Sequence, residues 1–327
     1  MQRDTRRIFL KRMAAVSASA VAAPVAFGQA AWPTRPIKLI VPYPPGGALD
    51  PIARILIDKV SPMLGQPIII DNRPGATTAI AAGYVNKVEP DGYTLLFTSP
   101  SSHIIHTLQQ PRGYDPVTGF TPIAAVTRGD YMMTINAGIP AKTLAEFIAW
   151  AKAQPDGISA GTSGVGNSDQ IVCELFKLVT GVKLVAIPYK GGGPALLDLV
   201  GGRTQMMITS QSLQQPQVDA GKLRIMAFMT PSPDRPGAPT MAQAGLQGFE
   251  TFGLLNIVLG PPNMPQAITD KVTGALKAAL DMPAVQSSIA ALNQRAFYMP
   301  PTALRERMTG DITRLTDIIK RANIQLV

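Results

Sequence analysis

Ile37-Lys38-Leu39-Ile40-Val41-Pro42-Tyr43-Pro44-Pro45-Gly46-Gly47-Ala48-Leu49-Asp50-Pro51 holds, in order, a strand, a glycine loop and the start of a helix. The first five residues are mostly aliphatic and β-branched, which suits a short buried strand. Pro42 to Asp50 is a proline- and glycine-rich loop. From Pro51 to Leu64, Ile52, Ile55, Leu56 and Val60 fall on one helical face. Pro51 fits the first helical turn, where its missing N–H costs nothing, and Asp50 fits the N-cap. The glycines leave backbone N–H groups uncovered, so an anion can approach the positive end of the helix.

The same alternation continues on the C-terminal side. Ile68-Ile69-Ile70 reads as a strand ending in the turn Asn72-Arg73-Pro74-Gly75, then residues 79–88 as a helix and 93–97 as a strand. It restarts at 131–135, with helices over 144–153, 169–180 and 194–200 and strands at 158–160, 184–187, 205–209 and 223–228. A strand at 254–259 and helices near 266–281 and 302–322 follow. Strand–helix alternation predicts parallel sheets covered on both faces. It divides the chain into one lobe of residues 31–129 and 253–327 and a second of 130–252, with crossings near Gly129 and Gly253.

Two more glycine loops precede helices. One is Gly161-Thr162-Ser163-Gly164-Val165-Gly166-Asn167-Ser168, followed by Asp169; the other is Lys190-Gly191-Gly192-Gly193-Pro194. Helices often start after glycine, so each loop alone has a structural reading. Facing helix starts in separate lobes form a pincer for a carboxylate. Asp169 either caps the dipole facing solvent or faces the cleft, where it competes with a ligand anion. The phosphate-loop pattern is absent, and Gly164-Val165-Gly166 lacks a third glycine at position 169. Ser163 has Val165 where a nucleophile elbow needs glycine.

Composition narrows the class. With 46% hydrophobic and 16% charged residues in 327, the chain has material for a core in each lobe. Four of its nine net positive charges come from residues 1–30, where Arg3, Arg6, Arg7, Lys11 and Arg12 face only Asp4. No basic block with interleaved aromatics remains, so nucleic acid is not expected as a partner. Residues 1–30 read as an export signal: a basic front, an Ala-rich stretch to Phe27, and a cleavage site near Ala30, placing the mature chain in the periplasm. Arg6-Arg7 ahead of Phe9-Leu10-Lys11 resembles the twin-arginine motif, with a Sec signal as the alternative. The single cysteine, Cys173, sits in an apolar run and reads as a buried hydrophobe. His103 and His106 have no partner cluster, so no metal, no cofactor and no catalytic set is expected.

Longer stretches carry a resemblance. They are Tyr43-Pro44-Pro45-Gly46-Gly47 with Asp50, Gly65-Gln66-Pro67 running into Asn72-Arg73-Pro74-Gly75-Ala76, and Pro90-Asp91-Gly92-Tyr93-Thr94-Leu95-Leu96. Phe120-Thr121-Pro122-Ile123, Pro188-Tyr189-Lys190-Gly191, and Pro239-Thr240-Met241 with Ala244-Gly245-Leu246 complete the set. From Trp32 to Ile324 the chain resembles the Bug-type, tricarboxylate-receptor-like extracytoplasmic solute-binding receptors of tripartite tricarboxylate transporters. The resemblance implies an α/β fold of the type II periplasmic-binding-protein kind, two lobes with mainly parallel sheets joined by two crossover strands. It implies a monomer, not an enzyme, that captures a small organic carboxylate and delivers it to a two-subunit membrane transporter. A periplasmic sensor feeding a signalling system, or an exported hydrolase, is the alternative.

The family's first carboxylate-holding loop falls on Tyr43, Pro45, Gly46, Gly47, Ala48 and Asp50, and its second on Ser163, Gly164, Gly166, Asn167, Ser168 and Asp169. Ser99 and Ser101, in the loop 99–102, border the cleft. Backbone amides and ordered water, without an arginine clamp, are implied as the carboxylate's partners. The chain departs from the family pattern at Asn167-Ser168-Asp169-Gln170, at Gln205, at Thr78-Ala79-Ile80 and at Phe252-Gly253-Leu254-Leu255-Asn256, where a tryptophan is usual.

Overall fold

The computed structural model describes residues 32–45, 49–75, 78–109, 113–232 and 235–324. The predicted export signal, and Gly46, Gly47 and Ala48 of the first loop, lie outside them. All the strands and helices below belong to the unit that begins at Arg35.

Two sheets organise that unit. The first contains β1 (Ile37–Val41), β2 (Ile68–Asn72), β3 (Thr94–Thr98), β4 (Thr121–Gly129), β10 (Leu254–Gly260) and β11 (Arg295–Met299), in the order β11-β4-β10-β3-β1-β2. The second contains β5 (Tyr131–Asn136), β6 (Ile158–Thr162), β7 (Leu184–Pro188), β8 (Met206–Ser210) and β9 (Leu223–Phe228), in the order β7-β6-β8-β5-β9. The helices are α1 (Asp50–Leu64), α2 (Ala79–Lys87), α3 (Pro100–Gln109), α4 (Leu144–Lys152), α5 (Ser168–Thr180), α6 (Gly192–Val200), α7 (Gln211–Asp219), α8 (Gln266–Leu280), α9 (Pro283–Ala290) and α10 (Pro301–Arg321).

The expectation of mainly parallel sheets needs correction: both are mixed. β1 runs parallel to β2 and β3, and β6 parallel to β7 and β8. β10 is antiparallel to β3 and β4, β11 to β4, and β5 to β8 and β9. The cause is the double crossing. Strands β4 and β9 end toward the border between the sheets, whereas β5 and β10 start from it. A strand leaving the border inserts against the direction of its neighbours. Fold class is otherwise as expected, an α/β two-lobed arrangement of the type II periplasmic-binding kind.

Burial explains the local choices. In β1 every residue but Lys38 is buried, as suits a strand covered on both faces. Helix α1 buries Ile52, Ala53, Leu56, Val60 and Leu64 and stops at Gly65, whose φ of 78° closes a left-handed cap. Helix α5 buries Ile171, Val172, Cys173, Leu175 and Phe176 and stops at Gly181 in the same way. One hydrophobic cluster includes Ile40, Leu96 and Ile257 of the first sheet and Met133, Ala160 and Ile208 of the second. The crossings touch each other, since a Cβ on Gly253 would lie 3.5 Å from the Gly129 carbonyl oxygen. Among the described residues, no helix is long and apolar enough to cross a membrane.

Candidate functional site

Strands β1–β4 and β6–β9 all turn their C-terminal ends to the border between the sheets, where open α/β sheets bind ligands. The loop after β1 is braced from beneath. Asn72, at the end of β2, donates to the Tyr43 carbonyl at 2.9 Å and to Asp50 Oδ1 at 3.5 Å. Arg54 Nε donates to Asp50 Oδ2 at 2.9 Å. Asp50, only 4% exposed, lies inside the first turn of α1, and Leu49 takes the N-cap position expected for it. Its carboxylate therefore fixes the loop through Arg54 and Asn72. Pro45 is exposed.

Above this brace stands a line of hydroxyls from both sides of the crossing. The Tyr43 phenol bonds the side chains of Ser102 and Ser99, and loss of solvent outweighs those bonds to push its pKa up. Tyr131, the first residue of β5, places its hydroxyl 3.2 Å from Ser168 Oγ and also bonds Thr209. Burial, followed by the nearby Asp169 charge, pushes the Tyr131 phenol far up, with Tyr43 adding to the rise. Both phenols stay protonated at neutral pH and keep an O–H to donate.

The second loop is shaped from inside. Ser163 N donates to Asp169 Oδ2 at 2.6 Å and Gln170 N to Asp169 Oδ1 at 3.0 Å. Gly166 N donates to Gln170 Oε1 at 2.6 Å, and Asn167 Nδ2 to Ser163 Oγ at 3.2 Å. Gly164 and Gly166 have φ of 145° and 73°, values that L side chains rarely adopt. Asp169 is 1% exposed, so the solvent-facing cap is corrected: its carboxylate folds back beneath the loop. Burial raises its pKa, opposed by the hydrogen bonds from Ser163 and Gln170.

The structure thus brings Tyr43, Ser99 and Ser168 together, with Asp169 next to them, and keeps Asp50 as a brace. Ser101 parts from the group. It is in the first turn of α3, not in a loop, and lines a small cavity with Phe252, Leu255 and Arg307. Tyr131, Thr209 and Asn72 were not assigned to the site from the sequence, and Ser102, expected in the loop bordering the cleft, is in the first turn of α3. A tyrosine opening an apolar strand is the one signal available, because a buried phenol needs a partner. His103 is structural: Nε2 donates to the Pro116 carbonyl at 2.9 Å and the ring meets Phe120 edge-on at 4.7 Å. Cys173 is a buried free thiol. No group of acidic, cysteine and histidine side chains fit to hold a metal occurs among the described residues. A separate cavity of about 290 Å³ opens at the crossings, lined by Arg128, Asp130, Phe252, Leu254 and Arg295 among others.

Known proteins share this architecture. The sequence model of the tripartite tricarboxylate transporter family receptor matches residues 52–324. Protein BugT of Bordetella pertussis is 30% identical over 317 residues, covering 95% of this chain and 96% of BugT. An R. palustris protein solved with adipate superposes with a TM-score of 0.79 at 32% identity, covering 90% of this chain and 99% of that one. MatC from Rhodopseudomonas palustris with bound malate gives 0.74 at 28% identity, covering 88% and 100%. The periplasmic binding protein BugD gives 0.76 at 28%, covering 90% and 99%. With its two crossed sheets and a match running over most of its length, this chain belongs to the tripartite tricarboxylate transporter receptor family.

Proposed function

We propose that this chain is an exported, non-catalytic periplasmic receptor that closes two lobes on the carboxylate of a small organic anion. It passes the anion, as a monomer, to a two-subunit tripartite tricarboxylate membrane transporter. The observation that carries the reading is the hydroxyl line. Neutral donors from both sheets converge at Tyr131, within a place that water reaches poorly. A carboxylate there exchanges hydration for short, charge-assisted hydrogen bonds, and needs no opposing cation. Ser99, Ser102 and Tyr43 supply one side; Ser163, Asn167, Ser168 and Tyr131 the other. Gly164 and Gly166 let the second backbone come close, and Gly46, Gly47 and Ala48 have the same part in the first loop. Lobe boundaries at Gly129 and Gly253 put a hinge directly behind the site. The similar structures that hold adipate and malate favour this ligand class.

A thermal-shift screen of mono-, di- and aromatic carboxylates beside their methyl esters tests the reading. A ligand at 100 times its dissociation constant adds about 2.7 kcal/mol of stability. Stabilisation by at least one acid, lost in its ester, is expected with the acid recovered unchanged. Equal effects of acid and ester, or conversion of the bound acid, would refute it. Export is tested by replacing Arg6 and Arg7 with lysine, which is expected to hold precursor in the cytoplasm; undiminished periplasmic yield assigns the signal to the Sec route.

A further inference from the structure

Asp169 is a buried acid to which the receptor reading gives no part in binding. It is 1% exposed, and its two oxygens accept from Ser163 N at 2.6 Å and Gln170 N at 3.0 Å. The Ser163 hydroxyl bonds it as well. These donors are neutral, and among the described residues no cation pairs with it. The preceding residue, Ser168, stands 3.2 Å from the Tyr131 hydroxyl, and the Asp169 charge already acts on that phenol. A ligand carboxylate held by Tyr131 and the loop 163–168 therefore arrives beside a second carboxylate in one poorly solvated place.

The other ionisable groups around α5 do not relieve that pair. The helix packs against β6, β7, β8, α3 and α10. Neither β6 nor β8 carries an acidic or basic side chain. Beyond β7, the Tyr189 hydroxyl donates to Asp198, and Lys190 stands beside the Gly164 loop but is exposed, so solvent screens its charge. Helix α3 brings His106 and the buried His103, whose Nε2 donates to the Pro116 carbonyl. Near Leu175 and Val179, in the far half of α5, stand Glu250 and the α10 residues Arg314, Asp317 and Arg321, these last three in ion pairs. On α5 itself Glu174 pairs with Lys177, and burial keeps the Cys173 thiol protonated. Tyr43 and Tyr131 keep their protons.

Two carboxylates that share one site with neutral donors alone do not both ionise readily, and one of them keeps a proton. Burial already draws Asp169 toward its protonated form, so the proton settles there and the ligand stays an anion. A protonated Asp169 still accepts from the loop amides and gains an O–H to donate. We propose that capture is proton-linked: each carboxylate bound takes up a proton, held on Asp169, and affinity rises as pH falls. This rests on the receptor reading above and adds the regulation of its site. By linkage, anion and proton raise each other's affinity equally. The gain is full below the free-state pKa of Asp169 and is lost as pH rises through its higher ligand-bound value.

Isothermal titration of the mature chain with acetate, benzoate and adipate, from about pH 6 to about pH 8, tests it, because the acids themselves are then ionised. Each titration is run in two buffers of different ionisation enthalpy, which counts the protons exchanged. Native protein is expected to take up roughly half a proton or more per ligand at the acid end, and to lose about fivefold or more in affinity at the other. Asp169→Asn is expected to bind with no uptake and little pH dependence; melting by circular dichroism checks that it folds. Carbon-13 NMR of aspartate-labelled native protein needs no variant: one carboxyl is expected to move from its ionised to its protonated shift when the tightest of the three acids is added. Native binding with no uptake, flat affinity and no moving carboxyl overturns the inference and leaves the receptor reading intact. So does uptake that survives in Asp169→Asn, which puts the proton on the ligand or on His103. If no carboxylate stabilises the protein in the wider screen, the receptor reading fails, and this inference with it.

Discussion

Tyr131 shows how one hydroxyl can set what a site does. Its ring packs in the core while its O–H reaches Ser168, at the start of α5, and Thr209, on the neighbouring strand β8. Tyr131→Phe keeps the ring and removes the donor, so calorimetry is expected to show carboxylate affinity falling about tenfold, close to 1.4 kcal/mol, with the fold retained. Unchanged affinity would make the hydroxyl purely structural. Asp169 yields a pH test. Its pKa is raised in the fold, so the folded state favours the protonated acid. The stability this contributes is fully present below about pH 4, the ordinary carboxylate range, and is lost as pH rises through the raised value. The melting temperature of the native protein minus that of Asp169→Asn is therefore expected to fall between acid and neutral pH; a flat or rising difference contradicts it. Neither role was open to sequence reasoning alone. Tyr131 and Ser168 are 37 positions apart, and nothing local says that they meet. Position alone left Asp169 either a solvent-facing dipole cap or a side chain turned to the cleft, whereas its return to Ser163 depends on how the intervening glycines turn.

At the scale of elements, glycine separates binding loops from mere helix ends. Gly164 has φ of 145°, and an added Cβ would press on Asn167 Nδ2 at 3.1 Å. Gly65 also has positive φ, 78°, but nothing lies within 4 Å of its added Cβ. Gly65→Ala is expected to cost about 1 kcal/mol of stability and leave ligand affinity alone. Gly164→Ala is expected to cost a similar amount and also to weaken carboxylate binding, since it reshapes the loop; denaturant melts paired with titrations separate the two. Equal binding losses in both variants would mean that the second loop has no special part. Strand–loop–helix units were legible because glycine, proline and apolar spacing agree locally, as in 37–64. Elements lacking that agreement were missed. Helix α7 buries Gln211, Gln214 and Gln215 and contains Pro216, so no apolar stripe marks it. Gln214 earns its burial by donating to the carbonyls of Met132 and Thr209 at 3.0 and 3.1 Å. Strand β11 is half-buried throughout and shows no alternation, while β4 reads as an irregular apolar run after Pro122.

Over the whole molecule, the two crossings and their fastenings decide how the lobes are held. Asp130, between β4 and β5, accepts from Arg295 at 2.6 and 3.1 Å and is 4% exposed. Beside it, Thr127 Oγ1 and Asn256 Nδ2 both donate to Gln294 Oε1 at 2.9 Å, tying β4 and β10 to the segment before β11. Arg295→Met leaves the Asp130 carboxylate buried without its guanidinium and is expected to lower stability by about 3 kcal/mol in urea melts. Adding Asp130→Asn is expected to recover much of that loss; no recovery would mean that Arg295 acts through packing alone. A double passage between two sheets was legible in the sequence, but its effect on strand direction was not, because alternation along the chain does not say which way a strand leaves the border. The reading of the molecule as a carboxylate receptor is tested most directly by a crystal structure with the tightest-binding acid from the screen. The expected result is a carboxylate within hydrogen-bond distance of the Tyr43–Tyr131 line and of the backbone at 163–168. An anion seated instead against Arg128 and Arg295 in the cavity at the crossings would contradict it.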